Sequence, residues 1–163
     1  MYILCDCKLR SELSLETHNT IAEHHNAYLY IDTCRYIITC TDYFTKWVEA
    51  ASLPTKEAKG VANFLYSLFC RHGVPKRIQS DQGREFVNSL TNHLFKLTGV
   101  HHVISTAYHP QTNGLDERFN QTLQRALLKM IDENQSEWDK FLDSVLFAYR
   151  TSKQASTKFS PII

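Results

Sequence analysis

Two acidic residues of this chain stand where a metal-dependent reaction on phosphodiesters would need them. Asp81 comes directly after the predicted strand Lys76–Ser80, and Glu117 lies in the first turns of the predicted helix Gly114–Glu133. Two-metal sites hold their ions about 4 Å apart, and carboxylates from different elements bind them at one end of a sheet. The pair therefore indicates nucleic-acid chemistry. Taken alone, each residue also has an ordinary interpretation, Asp81 as a turn residue and Glu117 as a solvent-exposed helix residue.

The predicted helix that carries Glu117 has one apolar side. Its apolar residues recur at helical spacing: Leu115, Phe119, Leu123, Ala126, Leu127 and Met130. At about 100° per residue, Glu117 points about 140° away from the centre of this stripe. Gln121 and Gln124 share the side of Glu117. We therefore predict that Glu117, Gln121 and Gln124 lie on the exposed side of this helix, away from the apolar stripe.

Periodicity and turn residues predict the elements that must position these side chains. Their order is two strands, a helix, a strand, a helix, a strand and two helices, which favours one sheet covered by helices. The predicted strands are Tyr36–Thr41, Lys46–Ala50, Lys76–Ser80 and His101–Ser105. The predicted helices run from the N-cap Thr55 to Gly73, over Asn88–Thr98, over Gly114–Glu133, and over Glu137–Arg150 with Ser136 as N-cap.

Composition and charge exclude some classes of protein without naming a partner. The chain has 163 residues, which suits one domain, and its 43% hydrophobic and 21% charged content is that of a globular protein rather than a disordered one. A net charge of +1 neither supports nor excludes nucleic acid, because local patches can bind DNA. No apolar run reaches membrane-spanning length, so we expect no membrane partner.

The cysteines do not predict a metal site. There are five of them, and their spacing relative to the pair His24 and His25 matches no zinc pattern, so we interpret them as structural. No signal-peptide pattern comes before them. We therefore expect reduced thiols in an intracellular compartment.

Several separate motifs resemble the integrase core of retroviruses and gypsy-type retrotransposons. The 35 residues 82–116 separate Asp81 from Glu117, which is the spacing of the second and third carboxylates in that family's pattern. The resemblance covers residues 36–163, and the motifs that carry it agree with the family in order as well as in sequence. They are Ser80–Phe86, Tyr108–Asn120, Asp42–Ala50, Arg71–Pro75, Phe147–Thr151 and Ser160-Pro161.

The resemblance implies an α/β fold of the ribonuclease H-like type, with a mixed five-stranded sheet flanked by helices. It implies metal-dependent 3′-end processing and strand transfer on DNA, with Asp81 and Glu117 holding Mg²⁺ or Mn²⁺. Gln111 and Asn113, in the motif that precedes Glu117, would join Gln121 and Gln124 in binding nucleic acid. A homo-oligomer and a nuclear location are further expectations of the same resemblance.

The family's first carboxylate has no obvious counterpart in the sequence. It lies within a first strand, yet no segment before Tyr36 shows a recognisable strand followed by a Gly-Pro turn, so residues 1–35 are left unassigned. Asp32 is the acidic residue of the apolar stretch before Tyr36. Asp32 is four residues before Tyr36, so a first strand has almost no room to turn back. We therefore expect that Asp32 does not complete a competent triad and that the isolated chain is inactive, or nearly so, in strand transfer.

Two functions from different classes follow. The chain is either an integrase core that acts on DNA, or an inactive, transposon-derived module that binds nucleic acid or protein. An aspartate beside Asp81 and Glu117 would favour the first, and its absence would favour the second. An unrelated nuclease of the same fold is disfavoured by the segment His109–Asn113 and by the carboxylate spacing.

Overall fold

In the computed structural model, the described part of the chain forms one mixed sheet of five strands. The structure describes residues 2–9, 34–105, 110–130 and 135–162, with side chains except in 2–9, 110–117 and 135–137. The strands are β1 (Tyr2–Leu9), β2 (Tyr36–Asp42), β3 (Val48–Leu53), β4 (Arg77–Ser80) and β5 (His101–Ile104). Their order across the sheet is β3-β2-β1-β4-β5. Strand β1 is antiparallel to β2 and parallel to β4, so the sheet is mixed as expected.

The central strand comes from the segment that the sequence left unassigned. Strand β1 lies within residues 1–35 and pairs with a neighbour on each side, so it is the first strand that the sequence did not identify. A strand covered on both faces lacks the alternation of polar and apolar residues that marks a half-exposed strand. Periodicity therefore did not reveal it. Asp32 lies outside the described residues.

Helices cover both faces of the sheet and create two cores. Helices α1 (Ala58–His72) and α2 (Ser89–Thr98) pack on one face, and α3 (Pro110–Met130) and α4 (Leu142–Thr151) pack on the other. The first core includes Ile38, Leu65, Phe69, Ile78, Phe86 and Phe95. The second includes Ile37, Phe119, Leu123, Leu127, Trp138 and Leu146. Each of the larger buried side chains contributes about 1.5–3 kcal/mol of hydrophobic stabilisation.

The ends of α2 agree with the sequence, whereas several other boundaries differ. The side chain of Asn88 accepts a hydrogen bond from Thr91 N at 2.9 Å, and Gly99 ends the helix in the left-handed region, with φ of 72°. Thr55 is not the N-cap of α1, because Glu57 has extended backbone and the helix begins at Ala58. The predicted cap Ser136 lies inside a 3-10 helix, Gln135–Phe141, and α4 follows it.

Helix α3 begins four residues earlier than predicted. Its first residue is Pro110, where we expected a loop reaching to Asn113. Proline suits the first position of a helix because its missing N–H has no partner there in any case. Gln111 and Asn113 therefore lie in the helix rather than in a loop before it.

In the part of the chain that the structure describes, no helix is both long and apolar enough to cross a membrane.

The state of the cysteines is mixed rather than uniformly reduced. Cys34 and Cys70 are free thiols, whereas Cys40 of β2 is disulfide-bonded. The register partner of Cys40 on β1 is Cys5.

Candidate active site

Asp81 sits at the end of β4 in a tight turn. It follows Ser80, the last residue of the strand, as the sequence predicted. Its Oδ1 accepts a hydrogen bond from Gly83 N at 2.9 Å, and Gly83 O in turn accepts bonds from Phe86 N and Val87 N, both at 2.9 Å. The carboxylate is half-buried. The turn thus holds a carboxylate in a defined position at the carboxyl end of a parallel strand, where α/β folds place their sites.

Gly83 is needed in this turn for space. A Cβ at this position would lie 2.6 Å from Oε2 and 2.8 Å from Oε1 of Glu85, closer than a real Cβ approaches other atoms. Glu85 is 6% exposed, and its Oε1 lies 2.8 Å from the ammonium of Lys56. Lys56 therefore offsets the charge of a buried carboxylate that packs directly on the glycine.

Asp6 lies level with Asp81 in the sheet. Cys5 of β1 is the register partner of Ser80, and the two strands run parallel, so the next residues along them are Asp6 and Asp81. On its other side, Asp6 pairs with Thr39 of β2. The sequence did not single out Asp6, because its segment could not be aligned with the family. The signal that could have found it is an acidic residue inside the apolar run that begins at Tyr2.

Helix α3 packs over this part of the sheet. It contacts β1, and the Thr39 hydroxyl lies 3.4 Å from Oδ1 of the buried Asn120. Asn120 comes three residues after Glu117, which is about one helical turn. The turn of α3 that carries Glu117 is therefore adjacent to the turn that contacts the sheet beside Asp6. The side chain of Glu117 lies outside the described residues, so its predicted proximity to the Asp81 carboxylate stays a prediction.

The described part of α3 has a buried side and an exposed side. Phe119, Leu123 and Leu127 are buried as predicted, whereas Met130 of the predicted stripe is exposed. Gln121 is exposed and Gln124 is half-buried. The side chains of Gln111 and Asn113 lie outside the described residues. The structure thus leaves Gln121 accessible to a ligand, and Gln124 partly so.

Three of the flanking motifs meet at one buried carboxylate, Glu49 of β3. The Trp47 indole N–H donates to Oε1 at 3.0 Å, and His72 Nε2 lies 2.8 Å from the same oxygen. Arg71 and Arg150 approach Oε2 at 3.0 and 3.3 Å. These residues come from the motifs Asp42–Ala50, Arg71–Pro75 and Phe147–Thr151. The spacing of these motifs along the chain did not predict that they converge.

The surroundings of Glu49 determine its charge. Burial by itself would raise its pKa, but the Trp47 hydrogen bond, Arg150, His72 and Arg71 together hold the pKa below its ordinary value of 4.5. Glu49 is therefore a carboxylate at neutral pH. It joins β3, α1 and α4 and belongs to the scaffold of the domain.

The donor set at the end of β4 fits a divalent cation. Asp6 and Asp81 occupy neighbouring register positions, and Glu117 lies on the helix that packs over β1. Carboxylate oxygens are the ligands that Mg²⁺ and Mn²⁺ prefer. Among the described side chains, no three His, Cys, Asp or Glu residues form a metal-holding group, but that description omits the side chains of Asp6 and Glu117.

Comparison with known proteins shows which family the chain belongs to. The family model described as "Integrase core domain" matches residues 20–110, more than half of the chain. The Retrovirus-related Pol polyprotein from transposon 412 of Drosophila melanogaster is 29% identical over 127 residues, which cover 77% of this chain and 10% of that protein. Gypsy retrotransposon integrase-like protein 1 of Homo sapiens is 29% identical over 126 residues, 77% of this chain and 24% of that protein. The chain therefore spans a quarter or less of the length of these relatives.

A solved structure has the same fold. A chain in the cryo-EM structure of the simian T-cell lymphotropic virus intasome in complex with PP2A regulatory subunit B56 gamma superposes with a TM-score of 0.72. It is 16% identical, and the match covers 98% of this chain and 52% of the other. Together with the sheet order, this likeness confirms the ribonuclease H-like fold. By the extent of the family match, the chain belongs to the integrase core domain family.

Proposed function

We propose that this chain is the catalytic domain of a retroelement integrase, which processes DNA 3′ ends and transfers them to a target DNA in a metal-dependent reaction. The observation that carries the proposal is the register of β1 and β4, which sets Asp6 level with Asp81. Membership in the integrase core domain family supports it. The chain spans only a small share of its relatives, so the proposal concerns the catalytic step and no other part of integration.

Asp6, Asp81 and Glu117 would hold Mg²⁺ or Mn²⁺. A bound cation would help water or a DNA 3′-hydroxyl to attack a phosphodiester and would stabilise the leaving oxygen. The protein contributes position: Gly83 N fixes one oxygen of Asp81, β1 holds Asp6 between two paired strands, and the rigid helix α3 carries Glu117. Such preorganisation lowers the cost of bringing three negative charges together.

We assign DNA contacts to the exposed side of α3. Gln121 and Gln124 follow Glu117 on that helix, and Gln111 and Asn113 precede it. Neutral amides hydrogen-bond to phosphates or base edges without releasing counterions, so they would add little to the salt dependence of binding. We further propose assembly into a homo-oligomer and action in the nucleus, because the chain is similar to an intasome chain and its proposed substrate is DNA.

The alternative function, an inactive binding module, depended on the absence of a third carboxylate. The register of Asp6 supplies a candidate for that carboxylate and so argues against the alternative. The expectation of inactivity rested on Asp32 as the candidate for the first carboxylate. We propose that Asp6 fills that role and that the chain is active.

A disintegration assay on branched DNA with Mn²⁺ or Mg²⁺ tests the proposal. Asp6→Asn, Asp81→Asn and Glu117→Gln should each lower the rate by about 100-fold or more, because each removes a charge that holds metal. Asp32→Asn should keep the wild-type rate.

Glu57→Gln is the matched control for loss of an acidic group. Glu57 is exposed, and its side chain makes no capping bond, so its variant should react at the wild-type rate. Loss of activity in Asp32→Asn together with a normal rate in Asp6→Asn would contradict the assignment of the first carboxylate. A folded wild-type chain without metal-dependent activity would support the binding-module alternative.

A further inference from the structure

Ser80 connects Asp81 to strand β5 through both its backbone and its side chain. Its carbonyl oxygen accepts hydrogen bonds from Ser105 N at 2.8 Å and from Ser105 Oγ at 3.0 Å. Its hydroxyl donates to Asp81 O at 2.9 Å and also lies 2.9 Å from His102 Nε2. The peptide groups on both sides of Asp81 are thus held in place. Gly83 N holds the carboxylate itself.

The hydrogen bonds of Ser80 indicate which ring nitrogen of His102 carries a proton. A serine hydroxyl has one proton, and Ser80 donates it to Asp81 O. The Ser80 oxygen therefore accepts from Nε2–H of His102. Ser80 is buried, with 2% of its surface exposed. Without the His102 donor, its hydroxyl would be free to turn away from the Asp81 carbonyl.

His102 approaches Ser80 from the face of the sheet opposite to α3. Its ring packs against Phe95 of α2, with the ring centres 4.8 Å apart, and Phe95 belongs to the core beneath α1 and α2. Burial lowers the pKa of His102, and the charge of His101 lowers it further. The ring therefore stays neutral at physiological pH. A neutral ring with one fixed N–H suits a structural donor.

We infer that His102 is a positioning residue for the proposed metal site, which orients the Asp81 carboxylate through the Ser80 hydroxyl from the opposite side of the sheet. This inference rests on the proposed function, because it assumes that Asp81 binds a cation. Hydrogen-bond partners of metal ligands orient those ligands and raise metal affinity, and their loss weakens binding by about 10- to 100-fold. His102 acts one residue further away, so we expect the lower end of that range.

The test combines two measurements on the full 163-residue chain. Mn²⁺ binding is followed by calorimetric titration, and hydrogen exchange of the Gly83 amide is followed by NMR without metal. His102→Phe keeps the ring against Phe95 but removes the donor. It should raise the Mn²⁺ dissociation constant about tenfold and speed exchange of the Gly83 amide. His102→Gln, which restores an N–H, should recover most of both.

Two further variants separate positioning from general damage. His101→Phe makes the same change at the exposed neighbouring residue and should leave both readouts at wild-type values. Ser80→Ala should reproduce the loss, and adding His102→Phe to it should change Mn²⁺ binding by less than about twofold, because both act through one hydrogen-bond path.

The outcomes distinguish the inference from the proposed function. Wild-type Mn²⁺ affinity and wild-type Gly83 exchange in a folded His102→Phe or Ser80→Ala chain would overturn the inference alone. Additive losses in the double variant would also overturn it. A folded wild-type chain that binds no Mn²⁺ would overturn the proposed function, and the inference with it.

Discussion

At the scale of single residues, two buried glutamates serve the scaffold rather than the reaction. Glu49 is surrounded by Trp47, His72 and two arginines, and Glu85 is paired with Lys56 against the glycine of the Asp81 turn. Removing one partner of such a buried carboxylate strongly destabilises the folded protein, because an uncompensated charge remains. Each glutamate therefore gives a prediction about stability that is independent of catalysis.

Glu49 should make the domain acid-sensitive. Its partners hold its pKa below the ordinary value of 4.5, so its contribution to the free energy of unfolding is fully present above about pH 4.5 and is lost as pH falls through the folded-state pKa. Glu49→Gln should lower that free energy by about 3 kcal/mol at pH 7. In urea unfolding from pH 7 to pH 3, the difference from wild type should shrink below about pH 4.5. A difference that stays constant down to pH 3 would contradict the lowered pKa.

Gly83 should be required because of Glu85. Gly83→Ala places a methyl group within 2.8 Å of the Glu85 carboxylate, and such overpacking should lower the free energy of unfolding by about 1–3 kcal/mol. In a Glu85→Ala background the same substitution should cost less by at least about 0.5 kcal/mol, since the atoms it meets are gone. Urea unfolding of the wild type, Gly83→Ala, Glu85→Ala and the double variant gives the coupling energy between the two positions directly. Equal costs in both backgrounds would show that Gly83 is needed for another reason.

At the scale of elements, the sequence predicted the features that depend on short-range interactions, such as the ends of a helix. Asn88 and Gly99 mark the ends of α2 in the sequence because the cap and the left-handed residue act within one turn. Strand β1 was missed because its identity depends on β2 and β4, which lie far along the chain. We expected a hairpin between the first two strands, but the 26 residues 10–35 separate them. A first strand at Tyr2–Leu9 contains Asp6 and lies far from Asp32 in the sequence.

Helix α4 is fastened to the edge of the sheet by one arginine. Arg150 donates from Nε and Nη2 to Val48 O at 2.8 and 2.6 Å, and its guanidinium lies 4.4 Å from the Trp47 ring centre. Strand β3 lies at the edge of the sheet formed by the described strands, and none of these strands pairs with this carbonyl. The arginine therefore satisfies and covers an open edge that could otherwise pair with another chain.

Arg150→Lys should loosen this fastening although the charge is kept. A lysine ammonium cannot reproduce the planar fork that meets Val48 O and stacks on Trp47, so we expect a loss of about 2 kcal/mol in the free energy of unfolding. Hydrogen exchange should quicken in α4 and β3 more than in α2. Arg77→Lys, at an exposed position on β4, is the matched control and should leave exchange unchanged. Uniform acceleration across all helices would contradict a local role.

At the scale of the whole molecule, β1 is the central strand of the sheet that lies between the two cores. It lies in the middle of the sheet, with α1 and α2 on one face and α3 and α4 on the other. The family resemblance covers residues 36–163 and so leaves this strand out. The pairing of β1 shows that without it the sheet would be split between β2 and β4.

Removal of residues 1–9 should therefore abolish cooperative unfolding. Strands β2 and β4 would each lose a pairing partner, and the unpaired edges would favour aggregation. Near-UV circular dichroism and urea unfolding report the loss of fixed packing. A chain with the same nine residues in scrambled order controls for length and composition, and it should fail in the same way. Wild-type cooperativity in the shortened chain would contradict the central position of β1.

The pairing of β1 with β4 also constrains how the chain folds during synthesis. Strand β4 begins at residue 77, 68 positions after β1 ends at residue 9. At about 5–20 residues per second, a ribosome takes about 3–14 s to cover that distance. During this interval β1 can pair with β2 but keeps its other edge open, a state in which chaperones would be expected to bind. Asp6 and Asp81 come level only when β4 arrives, and Glu117 follows later still, so the proposed metal site cannot assemble before residue 117 of the 163 has been made.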